Sequence, residues 1–177
     1  MVNINFFGGP GTGKSTTSAG VFHEMKKAGY SVEIVTEYAK DLVYSKDYFK
    51  LKDQLMILAN QSHPWFKLEK QVEYTVNDGP FLLGLVYLQE NPHMPMHEFK
   101  AFLLKMWHSY NHINIFIERD IEAHEYQEYG REQTLVEAIE KDNEIKEVLD
   151  QNGIPYYSVV MGPKTVKDTL KIIKENE

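Results

Sequence analysis

The chain contains no cysteine, and arginine occurs only twice, at Arg119 and Arg131. The lack of cysteine excludes disulfides, thiolate nucleophiles and cysteine-ligated zinc or iron–sulfur centres. No apolar run approaches the roughly 18–20 residues that a membrane span needs. The first residues show neither the basic region nor the cleavage site of a signal peptide. We therefore expect a cytoplasmic protein that does not associate with membranes.

Positive charge is also scarce, because 19 Lys and Arg residues stand against 26 Asp and Glu residues, for a net charge of −7. Proteins that bind nucleic acid usually carry a basic surface that neutralises phosphates. The charge therefore disfavours a nucleic-acid partner, which would need a local basic groove; residues 40–52 are the candidate for one. A length of 177 residues fits one domain, residues 1–177.

Apolar segments alternate between strand-like and helix-like patterns along the whole chain, which is typical of βαβ units. The predicted strands are residues 2–7, 32–35, 72–76, 113–117 and 156–160. The first predicted helix begins at Lys14, and the others cover about 51–63, 81–88, 98–110, 135–149 and 166–173. Pro64 is predicted to end the second one. This order predicts a three-layer α/β fold with a five-stranded, mostly parallel sheet and helices on both faces.

Residues 8–15 read Gly-Gly-Pro-Gly-Thr-Gly-Lys-Ser and satisfy the phosphate-loop motif G-x-x-x-x-G-K-[ST]. The motif lies between the first strand and the first helix, where backbone N–H groups and the helix dipole can hold a polyphosphate. Lys14 is predicted to reach the β and γ phosphates, and the Ser15 hydroxyl to bind Mg²⁺. The predicted nucleotide contacts are Gly9, Pro10, Gly11, Thr12, Gly13, Lys14, Ser15 and Thr16.

Other motifs narrow the class of P-loop protein. The guanine-reading string N-K-x-D is absent, and no apolar strand ends in the Asp-Glu pair of helicases and AAA+ machines. Among the classes of P-loop protein, these absences leave the compact P-loop kinases as the predicted class. Phosphoryl transfer requires a group that orients the attacking hydroxyl, a metal site and cations around the transferred group.

Four residues are predicted to supply these functions. Glu37 follows the second strand and is the candidate base; Asp78 follows the third and is the candidate for holding Mg²⁺ through water or binding the acceptor's sugar. Arg131, with Arg119 behind it, is predicted to stabilise the charge of the moving phosphoryl group. These two arginines flank a lid-like segment at about residues 119–134.

The acceptor is predicted from the scarcity of arginine. Enzymes that bind two phosphorylated ligands tend to surround them with arginines, so an uncharged nucleoside-like hydroxyl fits two arginines better than a nucleoside monophosphate does. Candidate acceptor contacts are Glu37, Tyr38, Lys40, Gln61, Trp65 and Asp78. Gln61 would read a base edge through its amide, and Trp65 and Tyr38 would offer stacking surfaces.

Several segments together resemble a known family. They are GGPGTGKST at residues 8–16, Glu37-Tyr38-Ala39-Lys40, Asp78-Gly-Pro-Phe-Leu-Leu and Gly130-Arg131-Glu132-Gln133-Thr134. In this order they resemble the P-loop ATPase/kinase family that contains the nicotinamide riboside kinase domain of NadR, a group with small phage members. The resemblance implies strand order 2-3-1-4-5, ATP with Mg²⁺, and a nucleoside-like acceptor. The chain departs from the family at Gly79, where relatives commonly have Asp-Ser-Pro or Asp-Arg-Ser.

The function expected from the sequence is thus transfer of the γ-phosphoryl group of ATP to a small-molecule hydroxyl. Three alternatives stay open: a nucleoside monophosphate kinase, a polynucleotide or modified-base kinase, and a regulatory ATP-binding module that transfers nothing. The apolar face of residues 98–110 fits either the core or the interface of a homodimer.

Overall fold

A computed structural model of the chain describes residues 1–89, 93–121 and 134–177. Its centre is a five-stranded parallel sheet with the order β2-β3-β1-β4-β5, which confirms the fold class and the strand order expected from the sequence. The strands are β1 (Val2–Phe7), β2 (Val32–Val35), β3 (Tyr74–Asn77), β4 (Asn111–Glu118) and β5 (Tyr157–Val160).

Helices cover both faces of this sheet. They are α1 (Lys14–Lys27), α2 (Tyr38–Tyr44), α3 (Tyr48–Leu51), α4 (Gln54–Leu68), α5 (Gly84–Tyr87), α6 (Met96–Trp107), α7 (Leu135–Gln151) and α8 (Thr165–Glu175), with a 3-10 turn at Phe81–Leu83. No helix within the described ranges is both long and apolar enough to cross a lipid bilayer.

The sheet separates two hydrophobic clusters because successive side chains of a strand point to opposite faces. On one face, Ile4 and Phe6 of β1 pack with residues of α1 and α8. On the other face, Phe7 packs with residues of α4, α6 and α7. Parallel sheets are usually buried on both faces, so apolar side chains are expected on both sides of these strands.

The predicted end of the second long helix was wrong, because Pro64 lies inside α4 and the helix continues to Leu68. A proline inside a helix removes one backbone hydrogen bond and costs about 3 kcal/mol. Burial beyond it opposes that cost: Trp65 is 0% exposed and its indole Nε1 donates to Asn77 Oδ1 of β3 at 2.6 Å. Tertiary packing thus carries the helix past a residue that would end it in isolation.

The carboxyl ends of the strands place the candidate residues at one edge of the sheet. The phosphate loop follows β1, Glu37 follows β2, Asp78 follows β3 and Arg119 follows β4. Ligands of open α/β sheets bind at this edge. Most of the predicted lid-like segment, including Arg131, lies outside the described residues.

Candidate active site

The phosphate loop is shaped by glycines that a side chain could not replace. Gly8, Gly11 and Gly13 have positive φ values of 139°, 85° and 81°, respectively. A Cβ on Gly8 would lie 2.7 Å from the hydroxyl of Thr12, which is fully buried and donates to the Gly9 carbonyl at 3.1 Å. At Gly13 the following helix α1 begins without a side-chain cap, so its first N–H groups are available to an anion.

Lys14 rests on the loop itself. Its Nζ donates to the carbonyls of Gly8 at 2.7 Å and Gly9 at 3.0 Å. Burial lowers the pKa of Lys14, whereas the nearby carboxylates of Glu37 and Asp78 act to raise it. The ammonium group therefore lies at the loop, as the motif predicts for a residue that binds phosphates.

Glu37 occupies the cleft between the phosphate loop and α2. Burial raises the pKa of its carboxyl group, and the charge of Lys14 partly opposes that rise. A Cβ on Gly79 would lie 2.5 Å from Glu37 Cγ and 2.9 Å from its carboxyl carbon. The departure from Asp-Ser-Pro therefore has a physical reason, because the Glu37 side chain fills the space that a side chain at position 79 would need.

Asp78 is 4% exposed, and its Oδ1 has no hydrogen-bond partner among the described residues. An unpaired buried carboxylate oxygen is costly, so this atom fits a cation or an ordered water that arrives with the ligand. No group of three or more His, Asp or Glu side chains able to hold a metal occurs in the described ranges. Mg²⁺ does not require such a group, because it usually takes one or two protein oxygens, several waters and phosphate oxygens.

The Ser15 hydroxyl is the other predicted metal ligand. It accepts a hydrogen bond from Lys40 Nζ at 2.8 Å. The ammonium group of Lys40 thus lies beside the predicted metal ligand. Lys40 was predicted to contact the acceptor, and its position next to the phosphate loop allows it to contact phosphate groups as well.

A cleft of about 630 Å³ extends from the phosphate loop toward α2–α5. Polar residues that line it include Lys14, Ser15, Glu37, Lys40, Lys52, Gln54, Gln61 and Gln89. Apolar and aromatic residues on its walls include Val43, Tyr44, Tyr48, Leu51, Ile57, Phe81, Leu83 and Tyr87. The cleft therefore joins a phosphate cradle, a carboxylate and a mostly apolar chamber of small-molecule size.

The structure corrects the predicted stacking role of Trp65. The indole is fully buried and lies within an aromatic cluster, 4.7 Å from the Phe81 ring and 5.7 Å from the Trp107 ring between centroids. It does not line the cleft. Trp65 is therefore a core residue.

Gln61 lines the cleft, but its amide is already used. Its Oε1 accepts from the Tyr38 backbone N–H at 2.7 Å, and its Nε2 donates to the Thr36 carbonyl at 3.1 Å. It holds the segment that carries Glu37, so base reading by this amide is not the interaction that the structure shows. Tyr38 is held by this backbone contact and is not among the cleft-lining residues, unlike its neighbours Glu37, Ala39 and Lys40.

Gln54 and Tyr87 offer further polar groups to the cleft. Gln54 is 6% exposed, its Nε2 donates to the Leu51 carbonyl at 3.2 Å, and its side chain lines the cleft. Burial raises the pKa of the Tyr87 phenol, so the phenol keeps its proton at neutral pH. No motif marks either residue, because both reach the cleft only through the packing of α4 against α5.

Arg119 lies beside the phosphate loop. Its Nε donates to Asp142 Oδ2 at 2.8 Å, and its Nη2 donates to the Pro10 carbonyl at 2.7 Å. The other oxygen of Asp142 accepts from the Gly9 backbone N–H. The predicted contact of Arg119 with a moving phosphoryl group is therefore not the one that the structure shows, and Asp142 is a site residue that the sequence analysis missed.

Fold and loop together define a P-loop nucleotide-binding protein, and comparisons with known proteins agree. The chain belongs to the family described as AAA domain, whose model matches residues 3–165. The sequence motifs disfavour the larger AAA+ machines. The observed strand order, β2-β3-β1-β4-β5, is the order that the resemblance to P-loop kinases implies. No curated protein matches the chain.

Solved structures of two kinases share the fold. Deoxyadenosine kinase from M. mycoides with bound dATP has a TM-score of 0.58 at 20% identity, and all of both chains is covered. The same enzyme with the products dCMP and dCDP has a TM-score of 0.52 at 21% identity, covering 98% of this chain and 97% of that one. APS kinase from Mycobacterium tuberculosis in complex with AMPPNP and APS has a TM-score of 0.52 at 13% identity, covering 97% and 95%. The resemblance to nicotinamide riboside kinase domains stays a prediction.

Proposed function

We propose that this protein is an ATP- and Mg²⁺-dependent kinase that transfers the γ-phosphoryl group of ATP to a hydroxyl of a nucleoside-like molecule. One observation carries the proposal: the Glu37 carboxylate and the phosphate loop with Lys14 line the same cleft of about 630 Å³. A module that only hydrolyses ATP has no need of a second chamber with aromatic and amide groups next to its phosphate loop. The kinase neighbours support the same class of reaction.

In the proposed mechanism the loop N–H groups and Lys14 bind the ATP phosphates. Ser15 and Asp78 are the residues that would hold Mg²⁺, which supplies neutralising charge on the phosphates when bound. Glu37 orients the acceptor hydroxyl and takes its proton as the oxygen forms a bond to the γ-phosphorus. The bond from that phosphorus to the β,γ-bridging oxygen breaks, and ADP leaves. We propose that Arg131, which lies outside the described residues, stabilises the transferred group.

A nucleoside monophosphate is the second candidate acceptor. Lys40 and Lys52 line the cleft in addition to Lys14, so the acceptor side has cations that could pair with one phosphate. The absence of arginine from the described cleft walls favours the uncharged acceptor, because arginine matches phosphate geometry better than lysine.

The test is a panel of nucleosides, nucleoside monophosphates and oligonucleotides incubated with ATP and Mg²⁺, with ADP and phosphorylated product both quantified by mass spectrometry. We expect phosphorylation of a nucleoside, and a loss of about 100-fold or more with Lys14→Ala, because that variant removes a cation from the transferred phosphate. Lys27→Ala, at the exposed end of the same helix, is the matched control. Formation of ADP without any phosphorylated acceptor would overturn the proposal in favour of a regulatory ATPase.

A further inference from the structure

We propose that Asp142 and Arg119 are a positioning pair that holds the first turn of the phosphate loop in its phosphate-binding shape. The inference rests on the proposed function insofar as the loop binds ATP. Neither residue is assigned this role by the loop motif, because Asp142 lies in the middle of α7, more than 130 residues after Gly9.

The pair closes a ring with two adjacent residues of the loop. Asp142 Oδ1 accepts the Gly9 N–H, Asp142 Oδ2 accepts Arg119 Nε at 2.8 Å, and Arg119 Nη2 donates to the Pro10 carbonyl at 2.7 Å. Both ends of the Gly9–Pro10 unit are therefore held by side chains from two other elements, the end of β4 and α7.

The ring determines where the loop's own groups point, because C=O and N–H of a trans peptide point in opposite directions. A Gly9 N–H directed at Asp142 sends the Gly8 carbonyl the other way, where it accepts from Lys14 Nζ at 2.7 Å. A Pro10 carbonyl directed at Arg119 turns the Gly11 N–H away from the guanidinium, and Gly11 lines the cleft. A loop that binds phosphate through N–H groups needs its carbonyls held elsewhere.

Burial argues that the pair does more than stabilise the fold. The side chains of Arg119 and Asp142 are 8% and 12% exposed, respectively. A buried ion pair pays a large desolvation cost, and well-packed apolar residues often give equal or greater stability. We therefore assign the role of this pair to the directed hydrogen bonds that it makes to the loop.

Gly9 supplies independent support. Its position is a free one in the motif G-x-x-x-x-G-K-[ST]. Here a Cβ would lie 2.6 Å from the Ala138 carbonyl oxygen and 2.7 Å from Asp142 Oδ1. The loop backbone thus touches the α7 backbone directly, at the same place where Asp142 binds it.

The test measures the affinity of ATP and of inorganic tripolyphosphate by calorimetry, together with the melting temperature of each ligand-free variant. Asp142→Asn keeps the shape but removes the charge, and Arg119→Lys keeps the charge but loses the planar fork. Each is expected to weaken the binding of both ligands about tenfold or more, because each variant loses or weakens a hydrogen bond to a charged group. The double variant should bind only slightly more weakly than either single one, because the two residues act together.

Asp150→Asn makes the same chemical change at an exposed site of α7 and should leave both affinities unchanged. Lower melting temperatures with wild-type affinities would overturn the inference and assign the pair to folding alone. If Asp142→Asn does not fold, Arg119→Lys decides the question. A wild-type protein that binds ATP but phosphorylates nothing would contradict the proposed acceptor chemistry and leave the positioning pair standing, so the two failures are distinguishable.

Discussion

At the scale of single residues, Glu37, the proposed base, shows how burial changes the protonation of a carboxyl group. Its carboxyl group has a raised pKa because burial disfavours the charged form more than Lys14 favours it. The ionised carboxylate therefore lowers the stability of the ligand-free protein, while it is the form needed to accept a proton. Functional residues commonly carry such a stability cost.

We predict that Glu37→Gln lowers turnover by about 100-fold or more, the range in which a general base contributes, with little change in ATP affinity. The wild-type rate should rise with pH as Glu37 loses its proton, and this rise should disappear in the variant. Steady-state kinetics across pH test both statements. Weaker ATP binding with unchanged turnover would contradict the assigned role.

The same variant is also expected to change the stability of the folded protein, in a direction that the raised pKa determines. Since the folded-state pKa of Glu37 is raised, wild-type stability falls as pH rises from the unfolded value of 4.5 through the raised value. Above that window Glu37→Gln should melt at a higher temperature than wild type, and the difference should shrink at lower pH. Glu140→Gln makes the same chemical change at an exposed site of α7; it is the matched control and should show no such pattern.

At the scale of elements, α4 illustrates how one buried side chain organises a helix and a strand. The Trp65 indole bonds Asn77 Oδ1, and Asn77 Nδ2 in turn donates to the Ile4 carbonyl at 3.2 Å and to Thr75 Oγ1 at 3.0 Å. A row of polar side chains thus crosses the centre of the sheet beneath the helix. The helix that continues past Pro64 is tied to this row.

We predict that Trp65→Phe destabilises the protein by about 1–3 kcal/mol, because it leaves the buried Asn77 oxygen without its donor. The KM for the acceptor should not change, since Trp65 is in the core and not in the cleft. Urea unfolding and steady-state kinetics test the two parts. Phe66→Leu, at the neighbouring side chain that is 73% exposed, should change the free energy of unfolding by less than about 0.5 kcal/mol. A large rise in KM for Trp65→Phe would restore the stacking role.

At the scale of the whole molecule, a partly buried histidine couples the core to pH. His112 stacks on Trp107 with ring centroids 3.8 Å apart and an interplanar angle of 5°. Its Nε2 bonds the Trp107 carbonyl at 2.8 Å and its Nδ1 lies 3.1 Å from Asn5 Nδ2, an arrangement that suits the neutral ring with its proton on Nε2. Burial lowers the pKa of His112 to about 4.

Because this pKa is below the ordinary histidine pKa of 6.5, the unfolded state binds the proton more readily. The contribution of neutral His112 is complete above pH 6.5 and is lost as pH falls toward 4, by up to about 3 kcal/mol. We predict that His112→Gln makes the free energy of unfolding less dependent on pH in this window, measured by urea unfolding at pH 7.5 and 5. His63→Gln, at an exposed site of α4, should keep the wild-type slope. Equal slopes for wild type and His112→Gln would contradict the assignment.

Local patterns in the sequence were sufficient for the fold class and for the edge of the sheet that carries the candidate site. The strand periodicity, the glycine-rich turn before Lys14 and the positions of Glu37 and Asp78 after strands depend on short stretches of chain, whereas the strand order was expected only from the resemblance to a known family. Such signals are local because backbone conformation and strand burial are local properties.

Only the tertiary structure decided which side chains line the cleft and which pack in the core or hold the backbone around it. Trp65 and Gln61 have the chemistry of ligand contacts, but packing between α4, β3 and the segment after β2 uses one in the core and the other on backbone groups. Asp142 has no motif, yet the docking of α7 brings its carboxylate to the Gly9 N–H. The partner of a side chain depends on which distant elements pack together in space. The spacing of residues along the chain does not specify those contacts.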